Sequence, residues 1–451
     1  MATLLHLPAE VANFIFIELR PRDWLSLRQT CKEINTRTAH LFIERFFLTR
    51  LVMFERSSLQ CLESIAEHPT LSQSVEELEI CVSHLLPLHE VQEIEPPYSE
   101  YENMMKDLKG KTLPAECGID YDEWYDRWGI SDGEGDANDD ERSMGDDETE
   151  GPPRDRLSRL NAREYRKRLD DQEEVIQTGY DVECLTRAMT HFKRCKQINI
   201  SSSIQAWGLN RLRRSIGILP QRGLTFESRE SIRLVRHIIH VVLTAAAVSK
   251  IQVEVLVFGP DQMLINANRI SPSMLIGPSS AILTESPLVS LRRLHISVDP
   301  HFPKCVPAAS KWESDLIRFI KLLPELSHLE LDFEERDEWG RFSELSKELY
   351  IPKLETLRLS CIDCAREELA LFLVRHHRTL REVVLDAIQL DGDAAVWRWL
   401  VEIIRDSLDL TCFSIQSSDT QEGDKFIELN DIGATDAQGL TDVIDMLTAK
   451  A

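Results

Sequence analysis

The sequence predicts an α/β protein with a three-helix unit at the amino end, then an irregular solenoid of short strands and helices, with a disordered acidic insert. Three observations predict it. Amphipathic stretches at helical spacing fill the first fifty residues. The pattern apolar-x-x-apolar-x-apolar recurs five times in the second half. Residues 96–153 hold eighteen acidic residues against five basic. The boundaries that follow are 1–50 for the helical unit, 51–95 for a linker helix and first repeat-like strand, and 96–153 for the insert. The repeat body takes 154–430, and a C-terminal helix or cap takes 431–451.

Leu7, Pro8 and Glu10 suit a helix start, because Pro8 has no N–H to lose in the first turn and Glu10 lies near the positive end of the dipole. Val11, Phe14, Ile15 and Leu19 then repeat at helical spacing. Pro21 and Asp23 open a second helix with Trp24, Leu25, Leu27 and Cys31 as its apolar positions. A third stretch uses Ile34, Leu41, Phe42, Ile43, Phe46 and Phe47. Three short helices cannot enclose a core of their own, so apolar surface is left over for a partner or for the rest of the chain.

From Leu7 to Lys32 these residues resemble the F-box family without a gap: Leu-Pro-x-Glu, an apolar pair a turn later, a Pro/Asp-initiated second helix with paired leucines, and Cys31-Lys32. The chain departs from the pattern at Thr30, Ile34 and Leu41-Phe42. The resemblance implies that Leu7, Pro8, Val11, Ile15, Leu25, Leu27, Cys31 and Lys32 bind the Skp-type adaptor of a cullin-RING (SCF-type) ubiquitin ligase, as aliphatic anchors in a groove between partner helices. The stretch Tyr165 to Ile200 also looks like a segment that follows the acidic insert in fungal F-box proteins.

Composition bounds the rest. A net charge of −24 argues against nucleic-acid binding, which needs a basic footprint. Residues 1–50 hold seven Lys or Arg against five Asp or Glu, so the acid lies elsewhere. Ten cysteines without a repeating spacing predict reduced thiols in the cytoplasm or nucleus. Glu10 and Glu18 stand where a signal peptide would be basic and then apolar, and the run Ile238 to Val248 is too short to span a bilayer. Between Ser131 and Glu150 the chain is nearly all Asp, Glu, Gly, Ser and Asn, which cannot offset the entropy of ordering. Tyr121, Trp124, Tyr125 and Trp128 just before it form either a partner motif or a small helix on the body.

The charged stretch 154–177 predicts a helix, and Leu185, Met189 and Phe192 predict another. The repeat then reads Leu291, Leu294, Ile296; Leu326, Leu329, Leu331; Leu354, Leu357, Leu359; Leu380, Val383, Leu385; and Leu410, Phe413, Ile415. Upstream, Val75, Leu78, Ile80 and Cys195, Ile198, Ile200 match it, and Val253, Val255, Val257 mark a further strand. Helices led by Leu316, Leu369 and Val396 lie between, the first opened by a capping box at Ser310 and Glu313. This alternation resembles a leucine-rich-repeat-like solenoid, with an ordinary two-layer α/β domain as the alternative. The Asn or Cys of that repeat is absent: Asp299, Glu334, Ile362, Ile388 and Ser418 take its place.

No phosphate-cradling glycine loop, nucleophile elbow or His-Glu-x-x-His occurs. Cys361-x-x-Cys364 is a lone pair, read as two buried thiols, and His237 with His240 and His376 with His377 lack a further ligand. Asp136, Asn138 and Asp140 start like a calcium loop, but Glu141 replaces its glycine. The expectation is therefore a non-catalytic receptor with no cofactor, no metal, no nucleic acid and no membrane. It would hold adaptor and, through it, cullin, and bind a client protein on the repeat body through His295, Glu330, Arg358 and Val384. The alternatives are an F-box scaffold acting outside the ligase and an enzyme without a visible constellation.

Overall fold

Short strands with apolar residues at every second position can line up only if each is followed by an element that covers the apolar face, and here a helix does so after nearly every strand. The computed structural model describes residues 9–17, 19, 21–91, 160–201, 208–218, 220–221, 228–259, 269–275, 287–299, 312–333, 342–392, 395–422, 425–429 and 432–450. Among them are fourteen α-helices and fourteen strands.

The amino end forms α1 (Ala9–Ile17), α2 (Pro21–Thr30), α3 (Lys32–Arg37) and α4 (Ala39–Phe47). Four helices therefore replace the expected three. Thr38 makes the break: its backbone leaves helical geometry at φ −92° and ψ 0°, and its hydroxyl donates to the Ile34 carbonyl at 2.8 Å. Cys31, expected inside the second helix, is the extended residue between α2 and α3.

The sheet begins with β1 (Thr49–Met53), one strand earlier than the repeat pattern suggests. It continues through α5 (Arg56–Glu67), β2 (Glu77–Cys81), α6 (Ala162–Thr178), α7 (Tyr180–His191), β3 (Gln197–Ser201), α8 (Leu209–Ile216), α9 (Arg229–Ser249) and β4 (Val255–Phe258). Then come β5 (Arg293–Val298), α10 (Trp312–Ile320), β6 (His328–Phe333), α11 (Phe342–Glu348) and β7 (Thr356–Ser360). After these lie β8 (Asp363–Cys364), α12 (Arg366–Arg375), β9 (Glu382–Asp386), β10 (Gln389–Asp391), α13 (Ala395–Ser407) and β11 (Cys412–Gln416). A hairpin, β12 (Ser418–Glu422) with β13 (Lys425–Leu429), precedes β14 (Ile432–Ala434) and α14 (Ala437–Lys450).

Ten strands form one sheet in the order β1-β2-β3-β4-β5-β6-β7-β9-β11-β14, parallel except for β14. Register runs without slippage from β2 to β11. One apolar row is Leu78, Ile198, Leu256, Leu294, Leu329, Leu357, Val383 and Phe413, and all are buried. In β4 the inward residues are thus Leu256 and Phe258, whereas the alternation Val253, Val255, Val257 predicts Val255 and Val257. The continuous apolar run Val255 to Phe258 fits either face, and a one-residue slip exchanges them.

A backbone device holds one end of every parallel strand of this sheet. The carbonyl of the residue just before a strand accepts two N–H groups from the start of the next: Leu48 from Glu76 and Glu77, Glu76 from Lys196 and Gln197, Lys196 from Glu254 and Val255. The same bracket recurs at Glu254, Arg292, Ser327, Glu355 and Arg381. Eight such brackets satisfy the strand entries without side chains.

At the other end the expected Asn or Cys ladder is replaced. Cys361, Ala387 and Ser417 each turn the chain with a left-handed φ of 57°, 50° and 44°. Cys361 N–H donates to the Asp386 carbonyl and Ala387 N–H to the Gln416 carbonyl, both at 2.9 Å. Ser418 Oγ accepts from Ile388 N–H at 3.1 Å and donates to the Gln416 carbonyl at 2.9 Å. Beyond these corners β8, β10, β12 and β13 build a second, four-stranded sheet that the repeat pattern did not announce.

Helices α5, α7, α9, α10, α11, α12, α13 and α14 follow one another along the large sheet, each packed on the next, with the turn Pro272–Met274 between α9 and α10. Helix α9 is long and apolar enough to cross a membrane by length and composition, yet 67% of its apolar window is buried inside the fold. Gly179, at φ 67°, ends α6 and starts α7 without a connecting loop, a conformation costly for residues with a Cβ. Met53 and Cys81 face away from this helix layer and join Tyr165, Leu209, Leu212 and Ile216 in a smaller cluster under α6 and α8. The insert 96–153, with Tyr121, Trp124, Tyr125 and Trp128, and the cap at Ser310 lie outside the described residues.

Candidate interaction surfaces

Two surfaces answer to the sequence expectations. The first is the N-terminal unit. Contrary to the expectation that these helices enclose no core of their own, Phe16 and Trp24 form a small one among the described residues, with Leu19, Leu27, Leu41 and Phe42 packed around them. Trp24 Nε1 donates to the Phe16 carbonyl, tying α2 to α1. The Arg28 guanidinium lies 3.9 Å from the centre of the Phe42 ring and donates to Thr38 Oγ1 at 3.2 Å. Arg45 reaches back to the Leu19 carbonyl at 3.0 Å.

With its few apolar groups already used inside, the unit leaves others in water. Val11, Ile15 and Leu25 are 44%, 39% and 49% exposed, and Cys31 and Lys32 are exposed as well. Leu27 is half-buried against the aromatic pair. Leu7 and Pro8 lie outside the described residues. Phe14, which the F-box resemblance did not single out, is 74% exposed and shares a face of α1 with Val11 and Ile15 at i, i+3 and i+4. Its signal in the sequence is its place in the apolar stripe.

The second surface is the sheet face opposite the helix layer. Register brings His295, Glu330, Arg358 and Val384 side by side on β5, β6, β7 and β9, one row about 4.8 Å per step. Glu330 stands between two partners: His295 Nδ1 is 4.0 Å from one carboxylate oxygen and Arg358 Nη1 is 3.6 Å from the other. Burial lowers the pKa of His295, with Arg358 adding to it and Glu330 opposing it. His295 Nε2 is shielded from solvent and has no hydrogen-bond partner among the described residues. Asn199 and Val257 extend the row on β3 and β4, and Ser414 extends it on β11.

Of the histidines weighed as metal ligands, His237 and His376 bond within the fold. His237 Nε2 is 2.6 Å from Oδ2 of the buried Asp181, joining α9 to α7. His376 Nε2 accepts from Ile351 N–H at 3.0 Å while Nδ1 faces the Phe372 carbonyl at 2.8 Å, and burial lowers its pKa. Cys364 is buried and its thiol is pushed up by that burial, whereas Cys361 is half-buried at its corner instead of buried as expected. Among the described residues no three His, Cys, Asp or Glu side chains converge as metal ligands. Compared with protein-family models the chain matches none, and a comparison with curated proteins gives no match.

Proposed function

We propose that this chain is the substrate-recognition subunit of an SCF-type ubiquitin ligase. Its first helices act as an F-box that docks a Skp-type adaptor and, through it, cullin, and its strand-helix array acts as a leucine-rich-repeat-like body that binds a client protein. The chain then contributes no catalytic group. It raises the client's effective concentration beside the charged enzyme, and the rate comes from proximity. Such a subunit works in the cytoplasm or nucleus, where reduced thiols persist.

The observation that carries the reading is the set of exposed apolar side chains on α1 and α2: Val11, Phe14, Ile15 and Leu25. Exposure of this kind beside the Leu-Pro-x-Glu start supports a helix-in-groove partner. The row at His295, Glu330, Arg358 and Val384 supports a client face, since register aligns it and none of the four side chains is buried.

Co-purification with a Skp-type adaptor and a neddylated cullin tests it. The double variant Val11→Ala and Ile15→Ala removes two exposed anchors without touching the Phe16–Trp24 core, and adaptor affinity should fall at least about tenfold. Unchanged capture overturns the docking assignment. Capture of adaptor without cullin or ubiquitin transfer overturns the ligase assignment and leaves a scaffold.

A further inference from the structure

The rim where the parallel strands begin carries a groove of about 830 Å³. Its floor is the series of carbonyl brackets, so the side chains just before and at the strand starts stand at strand spacing along it. Its charge departs from that of the chain as a whole. Six Lys or Arg line it against five Glu, in a protein of net charge −24.

Three of the six cations are already engaged. Arg194 pairs with Glu76, Lys196 Nζ lies 2.7 Å from Glu254, and Lys353 Nζ lies 2.5 Å from Glu325. Lys193, Arg292 and Arg293 have no carboxylate at ion-pair distance among the described residues, and all three are exposed. Both arginines act through space on Glu254, whose carboxyl is held below its ordinary pKa by the hydrogen bond from Lys196 first and by the two guanidiniums as well. Glu254 is thus taken, and two adjacent forks of donors remain open.

We propose that this groove binds an acidic stretch of a partner protein, laid across the strand starts with its carboxylates on Arg292 and Arg293. Guanidiniums accept carboxylates through two parallel hydrogen bonds, which fixes both position and direction. The volume lies within the range of ligand-holding clefts. A nucleic acid fits worse. Its phosphates carry charge at every step, and they would meet Glu76, Glu254, Glu325 and Glu355, which alternate with the cations. A polypeptide can set neutral residues opposite those carboxylates. The inference goes beyond adaptor docking and holds whether or not α1 and α2 bind a partner.

The test is fluorescence anisotropy of the full chain with a fluorescein-labelled eight-residue peptide of alternating Glu and Ser. Saturable binding is expected, weakening as salt is raised. The double variant Arg292→Glu and Arg293→Glu should lose about tenfold or more, and Arg292→Gln with Arg293→Gln should lose less, both with unchanged circular dichroism and melting temperature. Absent binding, or binding indifferent to the reversal in a folded variant, overturns the proposal. So does tighter binding of a single-stranded oligonucleotide of equal charge that is lost in the same variant, or peptide binding that appears only after residues 131–150 are deleted.

Discussion

His84 illustrates how a single residue sets a condition on the fold. It is 3% exposed, with Nδ1 2.7 Å from the Val82 carbonyl and Nε2 2.8 Å from Ser231 Oγ. Burial pulls its pKa from 6.5 to about 4, so the folded ring stays neutral where the unfolded one takes a proton. Stability from this residue is therefore whole above pH 6.5 and is lost as pH falls toward 4, amounting to about 2 kcal/mol at pH 5. His84→Gln isolates the effect. The variant should melt lower at pH 7 and show a shallower decline between pH 6.5 and 5, and an equal slope in both proteins would rule the titration out. None of this was legible in the sequence, because His84 meets Ser231 across 147 residues.

At the scale of elements, the N-terminal helices and the array have separate cores. Phe16 and Trp24 form a cluster distinct from the main one, so damage to it should stay local. Trp24→Ala empties a site for about 3–5 kcal/mol. Hydrogen exchange should then accelerate across α1 to α4 while the amides of β2 to β11 keep their protection. Acceleration of the strand amides would show that the two parts unfold together. The strands themselves were readable from periodicity, since apolar-x-x-apolar-x-apolar states the inward face directly, as at Leu329 and Leu331. Where every position is apolar, as in Val255 to Phe258, it states nothing about facing. The pattern Val253-x-x-Leu256-x-Phe258 was present there and fits the observed register. The break at Thr38 and the corners at Cys361, Ala387 and Ser417 were not readable, because they rest on backbone geometry that several residue types can adopt. The row His295, Glu330, Arg358, Val384 was legible as soon as the strands were aligned; the cation-rich rim was not, because most of its members fill the two variable positions of apolar-x-x-apolar, such as Lys196, Arg292 and Arg293, where the pattern fixes place but not charge.

For the whole molecule, the acidic tract is a detour that begins and ends at one place. Val91 and Leu160 pack against the same small cluster, so the two ends of 92–159 are anchored together. Removing 131–150 shortens the connection between these anchors and lowers its closure entropy cost by only about 0.3 kcal/mol. The melting temperature of the deleted chain should match the intact one within about 2 °C, and a larger loss would mean that these residues support the fold.

The carbonyl brackets also decide where this architecture can change length. One inserted residue just ahead of β3 or β5 would pull two N–H groups out of line and disturb the entry of the following strand, so that rim is closed to insertion and deletion. Among the described residues, the stretches that leave the strands show no such carbonyl shared by two N–H groups. Drift in spacing from 26 to 35 residues between central positions must therefore be absorbed there, and new loops would sprout from a single edge of the protein.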